Sequence, residues 1–169
     1  MKKQIVYASF VSRVFAMAVD LLIIIFVTSP VTALIARPLF AYFLGGYFPG
    51  GLAPDVLEQN YDQELARNFT NALTSIDGLK YFLAIAAVNI TILGLYFVGF
   101  WRAFQATPGK ILMRQYIVRD SDLQPPSTWQ LTRRFVGYSS IIIGIWRLFF
   151  SDKNQAGHDL AAGTIVIKR

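Results

Sequence analysis

The chain has 169 residues, of which 54% are hydrophobic and only 15% are charged, and its formal net charge is +6. Together with long uncharged runs, this balance indicates a helical membrane protein rather than a soluble domain. There is no cysteine, which excludes disulfides and thiol chemistry. The positive charge is not arranged as a basic run with interleaved aromatic residues, so we expect the lipid bilayer, and not nucleic acid, as a partner.

The first apolar run covers residues 10–36 and is long enough to cross a bilayer as a helix. It nevertheless contains Arg13 and Asp20, which are seven residues apart and therefore project from one stripe of that helix. A charge at bilayer depth costs roughly 2.5–3.5 kcal/mol on insertion scales. Arg13 lies near the helix end and can reach the headgroups, but Asp20 is short and about 10 Å deeper. We therefore expect Asp20 to have a partner or a function.

Two further apolar segments follow, at about 81–101 and at 135–150. The second carries Asn89 near its middle and ends with Trp101 and Arg102, an interfacial pattern. The third has about 16 residues, fewer than the roughly 20 that a span needs. The sequence thus predicts two full transmembrane helices and one short segment of a different kind.

Charges in the connections predict the orientation. The 37–80 connection is acidic, whereas the N-terminus and the 102–134 connection are rich in lysine and arginine. By the positive-inside rule, the N-terminus and residues 102–134 lie in the cytoplasm and residues 37–80 lie outside. We expect the bacterial plasma (inner) membrane as the location.

Two short β-branched stretches, 116–120 and 163–168, are each predicted to be a strand. Pairing them requires both on one side of the membrane, so 135–150 is interpreted as a re-entrant helical hairpin. The alternative is a short tilted span with an external tail. The predicted fold class is an all-α membrane protein with two full transmembrane helices, a short third re-entrant or spanning segment, and a small cytoplasmic β-pair.

The outer connection begins with aromatic residues at 39–48, which predict a belt in the outer headgroup layer. Apolar residues then recur every three or four positions from 57 to 76, which predicts an amphipathic helix. Its apolar face packs either on the protein's own outer surface or on a partner.

The chain has one histidine, no glycine-rich phosphate loop and no cluster with metal-ligand spacing. We therefore expect no enzyme activity, no cofactor and no metal site. His158 and Asp159 precede a small-residue run near the predicted cytoplasmic surface. Asp159 lies there within plausible reach of Arg13, and a charge-assisted pair is expected to act as a structural clasp.

Three blocks resemble the RDD family of bacterial membrane proteins, which is named for one arginine and two aspartates. They are SRVFAMAVD at 12–20, TPGKIL at 107–112 followed by YIV at 116–118, and QAGHDLAAGT at 155–164 followed by IVI. The resemblance places the three named residues on Arg13, Asp20 and Asp159. It describes 1–169 as a single RDD-type membrane domain, to which residues 38–79 add an outer insertion. It also implies a transport role, since cation–proton exchange has been proposed for some members.

Two functions are compatible with these residues. In the first, the protein moves monovalent cations, protons or a small solute, with Asp20 as the ion-binding carboxylate, Asn89 as an intramembrane polar partner and Arg13 lowering the pKa of Asp20. Two spans cannot enclose a pathway, so this function requires a homo-oligomer or a partner membrane subunit. In the second, the protein is an accessory or assembly subunit of a larger membrane complex, and Arg13, Asp20 and Asp159 hold it together.

Overall fold

The computed structural model describes residues 5–48, 63–138 and 155–168. The chain divides into two compact units, Met1–Phe26 with Ile92–Arg169, and Val27–Thr91. The description of 1–169 as one domain with an outer insertion at 38–79 stays a prediction. In chain order, the described elements are β1 (Val6–Tyr7), α1 (Phe10–Leu44), a 3₁₀ turn (Gly45–Tyr47), α2 (Gln63–Thr74), α3 (Ile76–Phe104), α4 (Pro108–Leu112), β2 (Gln115–Arg119), α5 (Thr128–Gly137), α6 (Gly157–Ala162) and β3 (Thr164–Lys168).

Two helical stretches of the described residues, Phe10–Tyr47 and Ile76–Leu112, are long and apolar enough to cross a bilayer. Their large side chains are widely exposed: Phe26 is 85% exposed and Leu95 is 72% exposed. Apolar faces of this extent are expensive in water and suit a lipid surrounding. The prediction of two long apolar helices is confirmed.

Both helices are longer than predicted. α1 continues through Pro30 and Pro38 to Leu44, so the first residues of the predicted aromatic belt are helical. Proline is tolerated in such helices when other groups satisfy the backbone carbonyls it leaves free. α3 begins at Ile76, five positions before the predicted apolar segment, because Ser75 accepts a hydrogen bond from the Gly78 amide at 3.0 Å and caps the helix.

The strands form one antiparallel sheet among the described residues, in the order β1-β3-β2. Ile117 pairs with Val166 in the predicted β2–β3 ladder, and both are fully buried beside Trp101 and Leu131. The predicted β-pair is corrected to three strands, because β1 adds to the free edge of β3. A two-residue strand carries too little pattern to be detected alone, although Val6 and Tyr7 are both strand-forming residues.

Short helices bring the remaining polar segments onto this sheet. α5 begins with a reciprocal cap, in which Ser127 and Gln130 bond each other's backbone amides. α6 ends at Gly163, whose φ of 64° is the left-handed conformation that glycine adopts without strain. The reversal at Gly163 leads directly into β3. The predicted segment 135–150 is described only to residue 138, and its choice between re-entrant and spanning forms lies outside the described residues.

The second unit has its own small core of Leu44, Phe48 and Ala72. Phe69 of α2 stacks on Phe48 with ring centroids 4.8 Å apart. The part of the apolar face of α2 around Phe69 therefore packs on the protein's own chain, whereas Leu73 is 42% exposed. Residues 57–62 of the predicted amphipathic helix lie outside the described residues.

Candidate functional site

Asp20 lies on α1 and is 2% exposed. Its carboxylate accepts hydrogen bonds from the Tyr96 hydroxyl at 3.0 Å, the Thr107 hydroxyl at 2.5 Å and the Gly109 amide at 2.8 Å. Three donors from α3 and the start of α4 thus surround one buried carboxylate. Such bonding offsets the large cost of removing a charge from water.

The 107–109 turn approaches α1 so closely that Gly109 has no room for a side chain. A Cβ added at Gly109 would overlap the carbonyl oxygen of Ala16 and would lie 3.0 Å from the Asp20 Cγ. Pro108 occupies the first turn of α4, where its missing amide costs no hydrogen bond. Thr107 therefore supplies a hydroxyl donor, Pro108 starts the helix, and Gly109 allows the backbone to come close enough to bond the Asp20 carboxylate.

Asp159 is fully buried and forms a second charged cluster. Arg13 Nη1 lies 2.5 Å from its Oδ2, and Arg134 Nη2 lies 2.5 Å from its Oδ1. The Ala156 amide donates to Oδ2 at 3.1 Å. The structure thus brings together Arg13 and Asp159, as expected from the sequence. The structural role of that pair stays a prediction.

Arg134 is the member of this cluster that the sequence did not reveal. Its side chain is 1% exposed, it donates to the Thr164 hydroxyl at 2.7 Å, and its guanidinium carbon lies 5.4 Å from the Trp101 ring centroid. It was counted only among the basic residues of the cytoplasmic connection. The available signal was its spacing of three residues from buried Leu131, which places both on one helix face.

Burial and neighbouring charges shift the pKa values of Asp159 and His158 in this cluster. Burial alone would raise the pKa of Asp159, but the guanidinium groups of Arg134 and Arg13 outweigh it and hold that pKa well below its usual range. Burial, followed by the positive charge of Arg134, lowers the pKa of His158 to about 3. His158 is therefore neutral near pH 7, so its position 3.3 Å from Asp159 Oδ1 is not an ion pair.

Arg13 and Asp20 are not bonded to each other. Arg13 also donates from Nε to the Ala8 carbonyl at 3.3 Å, whereas Asp20 bonds to groups from α3 and the 107–109 turn. Asn89 lies in the second unit, where its Oδ1 accepts from Thr32 at 3.0 Å. The three candidate ion-site residues therefore have separate hydrogen-bond partners.

A pocket of about 400 Å³ opens beside both clusters in the first unit. Arg13 and Asp20 both line it, in keeping with the predicted shared stripe of α1, and its other lining residues are mostly apolar. Lys110 and Arg134 add two more positive charges to its wall. The pocket therefore combines an apolar interior with cationic groups.

Residues 7–163 match the RDD family. The chain belongs to the RDD family. It is 35% identical to an uncharacterised protein of Rickettsia prowazekii (strain Madrid E) over 173 residues, covering 99% of each chain. No solved structure matches. The family resemblance drawn from the three sequence blocks is confirmed.

Acid should destabilise this RDD protein through His158. The unfolded histidine has a pKa of 6.5 and the folded one a pKa of about 3, so the unfolded state binds more protons in between. The free energy of unfolding should fall as the pH drops below about 6.5, by at most about 1.4 kcal/mol per pH unit. Asp159, whose folded pKa is depressed, adds to the loss below about pH 4.

Urea unfolding of the detergent-solubilised protein between about pH 7 and about pH 4 measures this slope. His158→Gln removes the histidine proton and should flatten the pH dependence of unfolding above about pH 4. A variant with the same slope as wild type would show that His158 does not titrate differently in the two states.

Proposed function

We propose that this RDD protein is a membrane-spanning accessory subunit of the bacterial plasma membrane, in which buried charges hold the helices and sheet together. The observation that carries the proposal is the bonding of Asp20. Its two oxygens accept from Tyr96, Thr107 and Gly109, all of which belong to the fold itself. A carboxylate used in this way anchors α1 to the 107–109 turn.

Cation binding by Asp20 would have about one oxygen lone pair to use without displacing this bonding. A carboxylate offers about four lone-pair positions, and three of them are directed at donors here. The Gly109 amide is part of the backbone and cannot rotate away. Arg13, expected to act on Asp20, instead bonds Asp159. These contacts favour an anchoring role over an ion-carrying one.

Transport of monovalent cations or protons is the second candidate. The observation that favours it is that Asp20 is also one of the residues that line the pocket. Two spanning helices cannot enclose a pathway, so this candidate needs a homo-oligomer or a partner membrane subunit. Neither candidate includes catalysis or a cofactor.

Partner subunits would meet the exposed sides of α1 and α3 rather than the apolar face of α2. Phe15 and Leu22 on α1 are 59% and 66% exposed, and Leu83 on α3 is 61% exposed. By contrast, Phe69 of α2 already packs on Phe48. Contacts between apolar helices in lipid depend on close packing, and such faces are available on α1 and α3.

The positive-inside rule supports a cytoplasmic N-terminus and an external second unit. The chain lacks cysteine, so single cysteines can report this orientation. Thr70→Cys, on α2, should react with an impermeant thiol reagent on intact spheroplasts. Asp122→Cys, after β2, should react only after permeabilisation. Labelling of Asp122→Cys from outside, without labelling of Thr70→Cys, would show that the protein has the opposite orientation.

Asp20→Asn distinguishes the two candidate functions. The substitution keeps the shape but turns one acceptor oxygen into an amide donor facing other donors. If Asp20 is an anchor, the free energy of unfolding of the protein should fall by about 1–3 kcal/mol on this change. Sodium, potassium or proton flux in proteoliposomes should not differ from wild type. Thr107→Val is the matched variant, because it removes one donor and leaves the carboxylate.

A clear wild-type cation or proton flux that disappears in folded Asp20→Asn, but persists in Thr107→Val, would contradict the accessory role. It would establish the transport candidate. Stability loss in both variants, without any change in flux, is the result that the anchoring role predicts.

A further inference from the structure

The pocket beside the two carboxylates has chemically distinct parts. Its cationic wall is formed by Arg13, Lys110 and Arg134, and its apolar wall includes Met17 and Phe97. A volume of about 400 Å³ lies within the range of small-molecule sites. An occupant that satisfies both parts has a charged end and a hydrocarbon end.

Two guanidinium nitrogens of the residues that form the cationic wall lack a hydrogen-bond acceptor among the described residues. Arg13 Nη2 and Arg134 Nε are buried and have no hydrogen-bond acceptor in the part of the chain that the structure describes. Leaving such a charged donor unpaired costs free energy comparable to a lost hydrogen bond or more. The pairing with Asp159 therefore leaves part of the hydrogen-bonding capacity of these two side chains unused by the described residues.

Lys110 adds a third cation. It is 7% exposed, and no hydrogen bond or ion pair of its ammonium group occurs among the described contacts. Among the described residues of this region, the three cations are accompanied by two carboxylates, Asp20 and Asp159, which leaves one positive charge in excess. An oxyanion would neutralise this buried excess.

We propose that the pocket binds one anionic phospholipid of the surrounding bilayer. Its phosphate lies against the cationic side chains that line the pocket and accepts from the Lys110 ammonium, and an acyl chain lies along Met17 and Phe97. Arginine suits this task, because its planar donors match phosphate oxygens. The inference rests on the proposed membrane insertion.

The depth of the site agrees with a headgroup position. Arg13 lies in the first turn of α1, near the end where the bilayer's polar layer would meet the helix. Basic pockets between helices on the cytoplasmic side are where anionic headgroups bind. A small inorganic anion would leave the apolar wall uncovered, and a lipid without net charge would leave the excess positive charge unbalanced.

Native mass spectrometry of the full-length protein tests the proposal. The protein is released from micelles doped with equal amounts of dioleoyl-phosphatidylglycerol and dioleoyl-phosphatidylcholine, and the retained lipid is counted. Wild type should retain one phosphatidylglycerol in preference to phosphatidylcholine. Lys110→Gln should reduce that preference about fivefold. Lys168→Gln, which alters an exposed lysine on β3, is the matched control and should leave it unchanged.

The wild-type preference is measurable even if Lys110→Gln does not fold. Equal retention of the two lipids would overturn the proposal, as would stronger displacement of phosphatidylglycerol by oleate or by inorganic phosphate than by added phosphatidylglycerol. A protein that enters vesicles of these two lipids but retains them equally contradicts only the lipid site. A protein that does not enter vesicles contradicts the membrane-spanning proposal and the lipid site together.

Discussion

In the first unit Asp159 makes two ion pairs, each at 2.5 Å, with Arg13 and Arg134. A buried carboxylate without a partner would cost several kcal/mol, so we expect the stability of this unit to fall when any of the three side chains is removed. They come from the start of α1, the last turn of α5 and α6. Their contact brings the two ends of the chain together, and it does so beside the sheet, where β1 precedes Arg13 and β3 follows Asp159.

Asp20 is a second buried carboxylate farther along α1, and its partners are hydrogen-bond donors instead of cations. The carboxylate joins α1 to Tyr96 of α3 and to the 107–109 turn, where Gly109 has no room for a side chain. Both anchors lie beside one pocket. Two of the three cations in the pocket wall, Arg13 and Arg134, are therefore the same residues that pair with Asp159.

Patterns that repeat along the chain could be predicted, and contacts made by single residues could not. Long apolar runs specified α1 and α3, and β-branched stretches specified β2 and β3. The Arg13–Asp159 pair was predicted because both residues were expected near the cytoplasmic surface, within reach of each other, and the structure brings them to 2.5 Å. Arg134 was missed because the sequence pattern of a basic residue before an apolar segment is the same whether that residue faces water or a buried carboxylate. The partners of Asp20 were missed because hydroxyls and backbone amides carry no sequence signal of their tertiary position.

A double-mutant cycle of Arg13→Met and Asp159→Asn tests the central claim most directly. Asp159→Asn should destabilise the protein more than Arg13→Met, because it strands two guanidinium groups whereas Arg13→Met leaves Arg134 on the carboxylate. The double variant should lose less stability than the sum of the two, by about 0.5–3 kcal/mol. Arg67→Met, an exposed change on α2, should add to Asp159→Asn within about 0.5 kcal/mol. Strict additivity of Arg13→Met and Asp159→Asn would show that these side chains do not hold the unit together.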